Sequence, residues 1–367
     1  MAAPPLFVPN KTPMPLPLPI PPDHPSEAPL AGTVTVIAHR GASALRPEHT
    51  LAAYAQAIAD GADFIEPDLV STRDGVLVAR HENEISTTTD VATRAEFANR
   101  RRRQVMDGHP VEGWFTEDFT LAELKTLRTR ERLSGFRSTA YDGQFPIATL
   151  DEIIELAATE SVRLGRSIGL IPELKSPTHF RQRGLAMEDR LLERLHAHPF
   201  TRTAPVVIQS FEVGNLRYLR GRLQGRPNIR LLQLLGAPAE CPVDQREGPG
   251  CPLSYEQMMT PAGLQAIAAH AHVIGPPSRA VIPVTQEGAL GAPTSLVRDA
   301  HAAGLQVMPY TFRPENHFLP PALWQGDDPR TVHREGSIAE IRAYLAAGID
   351  GFFTDHPAWG RLAVDGP

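Results

Sequence analysis

No apolar stretch in the 367 residues approaches the ~18 needed for a helix to cross a bilayer. An excess of positive charge is missing too: 36 Lys and Arg stand against 42 Asp and Glu, a net charge of −6. A nucleic-acid surface needs a basic face, so no nucleic-acid partner is expected. The one dense basic cluster, Arg100 to Arg103, reads as a solvated face rather than a phosphate patch. Cysteine is almost absent. Cys241 and Cys251 are the only two, and no neighbouring His or second Cys pair could complete a metal or redox site. Between them lie Pro242, Gly248, Pro249 and Gly250, turn formers that let the two meet. A disulfide is therefore expected, and with it an oxidising compartment, periplasmic or secreted. A glycine-rich loop after the first apolar strand is also lacking, since Gly41 stands alone there. That counts against a doubly wound nucleotide-binding sheet.

Proline is concentrated at the start, from Pro4 and Pro5 to Pro21 and Pro22. Residues 1–33 read as an extended tail, and the prolines break any apolar core of a signal peptide. The whole chain is 42% hydrophobic and 21% charged. Its length exceeds the ~250 residues typical of a (β/α)8 barrel and leaves room for an insertion.

Three places repeat one grammar of capped amphipathic helix, glycine stop and apolar strand. They run from Thr50 to Gly61, from Thr294 to Gly304, and from Ser337, with Glu340 as a capping-box partner, to Gly348. Such alternation implies parallel strands with crossover helices. Eight strands are expected: Val34–Ala38, Phe64–Asp68, Ile168–Leu174, Val206–Phe211, Ile229–Leu235, Val273–Gly275, Leu305–Tyr310 and Phe352–Thr354. Eight is the number a closed TIM barrel requires. Asp74-Gly75 signals a hairpin turn, which would fold His81 back beside Asp68. Residues from about 85 to 147 lack the alternation and read as a small insertion capping the barrel mouth; a helix resumes at Thr149, with Glu152 suited to a capping box. The expected organisation is a tail over 1–33 and one barrel domain over 34–367.

Barrel active sites form at the C-terminal ends of the strands. The first strand ends on His39-Arg40-Gly41, the second on Glu66-Pro67-Asp68, another on Pro172-Glu173-Leu174-Lys175. Each alone has a bland reading: a buried histidine, two surface acids, a local ion pair. Together they specify carboxylates that would repel without a cation between them. Their oxygens suit a hard divalent ion, Ca²⁺ first and Mg²⁺ second. Flanking cations and two histidines would face an anionic phosphodiester.

The stretches His39-Arg40-Gly41, Pro47-Glu48-His49-Thr50, Glu66-Pro67-Asp68, His81 and Pro172-Glu173-Leu174-Lys175 resemble the glycerophosphodiester phosphodiesterase family, its periplasmic bacterial branch in particular. Gln209-Ser210-Phe211, Pro309-Tyr310-Thr311 and Thr354-Asp355 extend the resemblance over residues 34–357. It implies a TIM barrel with Glu66, Asp68 and Glu173 as metal ligands and His39 and His81 as the acid/base pair. Arg40 and Lys175 would contact the phosphate, and Phe211 and Tyr310 the substrate. The expected partner is a small glycerophosphodiester, cleaved to glycerol 3-phosphate and an alcohol. His49, where the family usually has asparagine, and Pro67 depart from the pattern. A phospholipase D-like enzyme acting on lysophospholipids or sphingomyelin, and a non-catalytic binding barrel, are the rival readings.

Overall fold

The structure, a computed structural model, describes residues 34–106, 108–246 and 250–366. The expected proline-rich tail lies outside these residues. Among the described residues thirteen strands form two sheets. In chain order they are β1 Thr35–His39, β2 Phe64–Glu66, β3 Asp68–Ser71, β4 Leu77–Ala79, β5 Arg102–Met106, β6 His109–Gly113 and β7 Gly169–Leu170. There follow β8 Glu173–Leu174, β9 Val206–Ser210, β10 Ile229–Leu234, β11 Val273–Gly275, β12 Gln306–Val307 and β13 Gly351–Thr354.

Parallel pairing runs in the order β13-β1-β2-β7-β9-β10-β11-β12. The two ends of this path meet. Asp350 N donates to Val307 O at 2.9 Å, Phe353 N to Pro309 O at 3.0 Å and Phe312 N to Phe353 O at 2.8 Å. The fold is a TIM barrel. Two expected strands are each split by a proline. Pro67 separates β2 from β3, and Pro172 lies between β7 and β8. Proline has no N–H for the ladder, but its carbonyl still accepts: Glu173 N bonds Pro67 O and Gln209 N bonds Pro172 O, both at 2.9 Å.

The barrel interior is filled by Ile37, Phe64, Ile171, Val207, Leu232, Leu234, Val273, Met308 and Phe353. Gly169 sits opposite Phe64, and a Cβ there would stand 2.3 Å from the Phe64 ring. Glycine is what lets that ring fill the barrel floor. Phe211 and Tyr310 pack on the edge of this core, whereas Phe353 belongs to it.

Thr50 caps the helix Leu51–Ala59, and Thr149 with Glu152 forms a capping box on Leu150–Leu164. The expected box at Ser337 and Glu340 is absent. The helix there is Arg334–Ala346, capped at His333. Spacings of three recur inside helices, so the same pattern fits an interior turn. Glu340 is buried and pairs with Arg279 Nη1 at 2.6 Å. The helix expected from Thr294 begins at Leu296, with Ser295 at the cap.

In the β3–β4 hairpin, Leu69 pairs with Ala79 and Arg80 N donates to Asp68 O at 2.9 Å. Arg80, not His81, therefore lies directly across from Asp68, and His81 follows one residue on. Residues 85–147 contain the β5–β6 hairpin and short helical turns. Their Phe97, Trp114, Phe119, Leu124 and Leu127 join the core shared with the barrel helices. Arg100 to Arg103 pair with Glu123, Glu112 and Asp118, which makes this basic run an ion-paired surface.

Candidate active site

The prolines set the acids. Glu66 ends β2, Asp68 opens β3 and Glu173 opens β8, so neighbouring strands present all three at one end of the barrel. All three are buried, and one oxygen from each lies within 4.8 Å of the others. Burial, then repulsion from Asp68 and Glu173, holds Glu66 well above the usual carboxylate range. Burial raises Glu173 to about 8, against Lys175 and with Asp68 adding to the rise. Burial also opposes charge on Asp68, but Lys175, Arg40 and His81 hold it well below the ordinary value. Two of three clustered acids thus resist ionisation. Hard oxygen donors in such a cluster fit a divalent cation, which would reverse that resistance.

Arg40 has φ +60, a left-handed conformation that strains a non-glycine residue. Its backbone N donates to Glu66 Oε2 at 2.8 Å and its Nη1 to Glu48 Oε2 at 3.0 Å, while Nε lies 3.2 Å from Asp68 Oδ2. Glu48 therefore orients Arg40, and it also receives Arg132 Nε at 3.0 Å. Lys175 Nζ lies 2.8 Å from Glu173 and 5.7 Å from the centre of the Phe211 ring. Phe211 meets Tyr310 edge-on at 6.0 Å, and the Tyr310 hydroxyl donates to Leu235 O. The Gln209 amide NH₂ is committed within the protein, donating to Glu66 Oε1 and Ile171 O. His49, also at φ +60, lies 2.9 Å from Asp68 Oδ2 through Nε2 and 2.8 Å from the Tyr54 hydroxyl through Nδ1. The departure at His49 thus supplies a buried bond that orients Asp68.

The two histidines share one device. His39 Nδ1 stands 2.6 Å from Asp355 Oδ1, and His81 Nδ1 2.6 Å from Glu82 Oε1. Both rings keep Nε2 for other contacts. Asp355 is fully buried, but Glu82 is exposed, so the first pair is the firmer. Burial, with Arg40 beside it, lowers His39 to about 3 despite Asp355. Burial, then Arg40 and Lys175, lowers His81 to about 4.

Asp355 itself was visible in the sequence only as part of the Thr354-Asp355 match, with no role. Arg137 carried no signal, and Arg313 was visible only in the Tyr310-Thr311-Phe312-Arg313 ending that resembles the periplasmic branch, with no role. Arg137 Nη2 reaches Asp355 Oδ2 at 2.6 Å and Arg313 Nε reaches it at 3.0 Å.

Arg40, Lys175, His49 and Gln209 thus all contact one acidic cluster at one end of the barrel, with Phe211 beside Lys175. The profile of the Glycerophosphoryl diester phosphodiesterase family matches residues 39–359. The chain belongs to this family. A glycerophosphodiester phosphodiesterase of Arabidopsis thaliana is 36% identical over 333 residues, covering 87% of this chain and 82% of the relative. One from Haemophilus influenzae is 28% identical over 294 residues, covering 76% and 78%. A crystal structure from Silicibacter pomeroyi aligns with TM-score 0.61 at 22% identity, covering 91% of this chain and 94% of that one. A phosphodiesterase from Oleispira antarctica, in complex with sn-glycerol-3-phosphate, aligns with TM-score 0.58 at 20% identity, covering 90% and 96%. At these identities the structures establish the shared fold. Membership in the family makes the chain an enzyme that hydrolyses glycerophosphodiesters. Among the described residues no helix is long and apolar enough to cross a membrane.

Proposed function

We propose that the enzyme hydrolyses glycerophosphodiesters such as glycerophosphocholine and glycerophosphoethanolamine to glycerol 3-phosphate and the free alcohol, in dependence on a divalent ion, Ca²⁺ before Mg²⁺. The observation that carries this reading is the buried acidic cluster of Glu66, Asp68 and Glu173, flanked by Arg40 and Lys175. The three carboxylates would hold the ion, which when bound neutralises charge on the phosphoryl oxygens.

Arg40 and Lys175 bind the phosphate and stabilise negative charge that develops on it. His39, kept neutral by its burial, takes the proton of the glycerol 2-hydroxyl at Nε2. That hydroxyl is tethered to the phosphate, so its attack is intramolecular and gains orientation entropy. His81 gives a proton to the leaving alcohol. An arriving phosphodiester anion favours the protonated form of His81, opposing the effect of Arg40 and Lys175. Water then opens the cyclic phosphate with the two histidines exchanging roles. Phe211 and Tyr310 form the wall against which the substrate packs. The disulfide supports a periplasmic or secreted setting.

The deciding experiment is release of glycerol phosphate from a panel of glycerophosphodiesters, with chelator, with chelator then Ca²⁺, and with a 2-deoxyglycerol analogue. Loss of turnover on chelation, recovery with Ca²⁺ and slow cleavage of the analogue are expected. Full turnover in chelator would overturn the metal dependence. Equal turnover of the analogue would make water the nucleophile.

A further inference from the structure

We propose that Arg137, from the segment over 85–147, is a positioning residue that holds Asp355 aimed at His39, the carboxylate in turn setting the tautomer of that ring. The inference rests on the reading of His39 as the proton acceptor. Arg137 is buried, with 4% of its side chain exposed, against 1% for Asp355. Its guanidinium bonds three separate loops at the barrel mouth. Nη1 donates to Ser43 O at 2.9 Å, just after β1. Nε and Nη2 donate to Glu315 at 2.7 and 3.3 Å, beyond β12. Nη2 also donates to Asp355 Oδ2 at 2.6 Å, just after β13. Only a planar fork makes all these contacts at once.

The consequence lies at Asp355. Its Oδ2 receives both Arg137 and Arg313, which leaves Oδ1 to face His39 Nδ1. A carboxylate oxygen only accepts, so His39 carries its proton on Nδ1 and presents a bare Nε2 to the substrate. The two arginines hold the carboxylate from the far side. They also dictate what an amide would do there. In Asp355→Asn the amide oxygen must turn toward the two arginines, because an NH₂ would confront their donors. The NH₂ then donates to His39 Nδ1 and moves the ring proton to Nε2, the atom that should accept.

The test combines kinetics on glycerophosphocholine with ¹⁵N NMR of histidine-labelled protein, the His39 signals being assigned by their loss in His39→Gln. In the wild-type protein Nδ1 of His39 should be the protonated nitrogen. Asp355→Asn should move the proton to Nε2 and lower kcat by ~10²-fold or more, the range of acid/base effects, with KM near the wild-type value. Arg137→Met should leave the proton on Nδ1, because Oδ1 still only accepts, but loosen Asp355, shifting the Nδ1 signal and lowering kcat, and Arg137→Lys should restore part of both. If Arg137→Met fails to fold, Asp355→Asn still decides, since it keeps the shape of the side chain. A wild-type proton on Nε2, or Arg137→Met with normal kcat and an unmoved spectrum, would overturn the proposal. A wild-type enzyme that turns over no glycerophosphodiester would instead overturn the functional reading, and the NMR signal would still judge the tautomer.

Discussion

Glu131 stands one residue before Arg132, the arginine that pairs with Glu48, and it is 7% exposed. Its carboxyl accepts Leu133 N at 2.7 Å. Burial raises its pKa from 4.5 to about 7. The folded state then holds this proton more tightly than the unfolded state. Stability should therefore fall as pH rises from about 4.5 to about 7, and level off above. Glu131→Gln keeps the acceptor for Leu133 and removes the titration, so it should gain on the order of 1–3 kcal/mol at pH 8 relative to pH 5. Urea midpoints at the two pH values measure it; a variant that gains equally at both would contradict the assignment. Legibility at this scale divides the same way. His39, Arg40, Glu66, Asp68, Glu173 and Lys175 were readable as a group because each closes an apolar stretch of sequence, and only their recurrence at several such ends tells. Asp355 acts on a residue 316 positions away and Arg137 on one 218 positions away. Nothing local marks such a pair, so the orienting shell of the site appeared only once the barrel brought its loops together.

Elements were legible where their signals are local. Thr50 and Gly61 bracket a helix, and Asp74-Gly75 makes the turn, with Gly75 at φ +81. They blurred where one signal has two meanings, as at Ser337, where a helix-interior spacing mimics a cap. The hairpin register was off by one because a turn's midpoint does not settle which residue pairs across it. The loop between β10 and β11 offers a test at this level. Cys241 and Cys251 form a disulfide with Cα atoms 5.6 Å apart. The same connection leads into Tyr255, whose hydroxyl donates to Phe211 O. Replacing both cysteines by serine should cost about 2–3 kcal/mol, chiefly by freeing the unfolded chain. The loss should show as a lower urea midpoint at constant slope, and reductant should lower the wild-type midpoint to match. A midpoint insensitive to both changes would mean that the crosslink does not constrain the unfolded chain.

At the scale of the whole barrel, the acidic cluster joins chain segments that are distant in sequence. Glu66 and Asp68 come from one strand pair and Glu173 from the next, and β3 pairs with β8 at that very position, Asp68 opposite Glu173. Without a cation, burial and mutual repulsion keep Glu66 and Glu173 from ionising. An ion that binds only the assembled cluster must stabilise the folded state, by about 2.7 kcal/mol at one hundred times its dissociation constant. In a chain of this size the corresponding rise in Tm is a few degrees. Binding must also displace protons, since the ligands are needed as carboxylates. The sign follows: Glu173 gives up its proton only near pH 8, so the ion should bind more tightly, and raise Tm more, at pH 8 than at pH 6. Scanning calorimetry of chelated protein with added Ca²⁺ at both pH values reads this directly. Glu173→Gln should abolish most of the shift and its pH dependence together, because it removes a ligand and the proton that competes for it. An equal shift in wild type and variant would mean that the ion binds elsewhere on the protein.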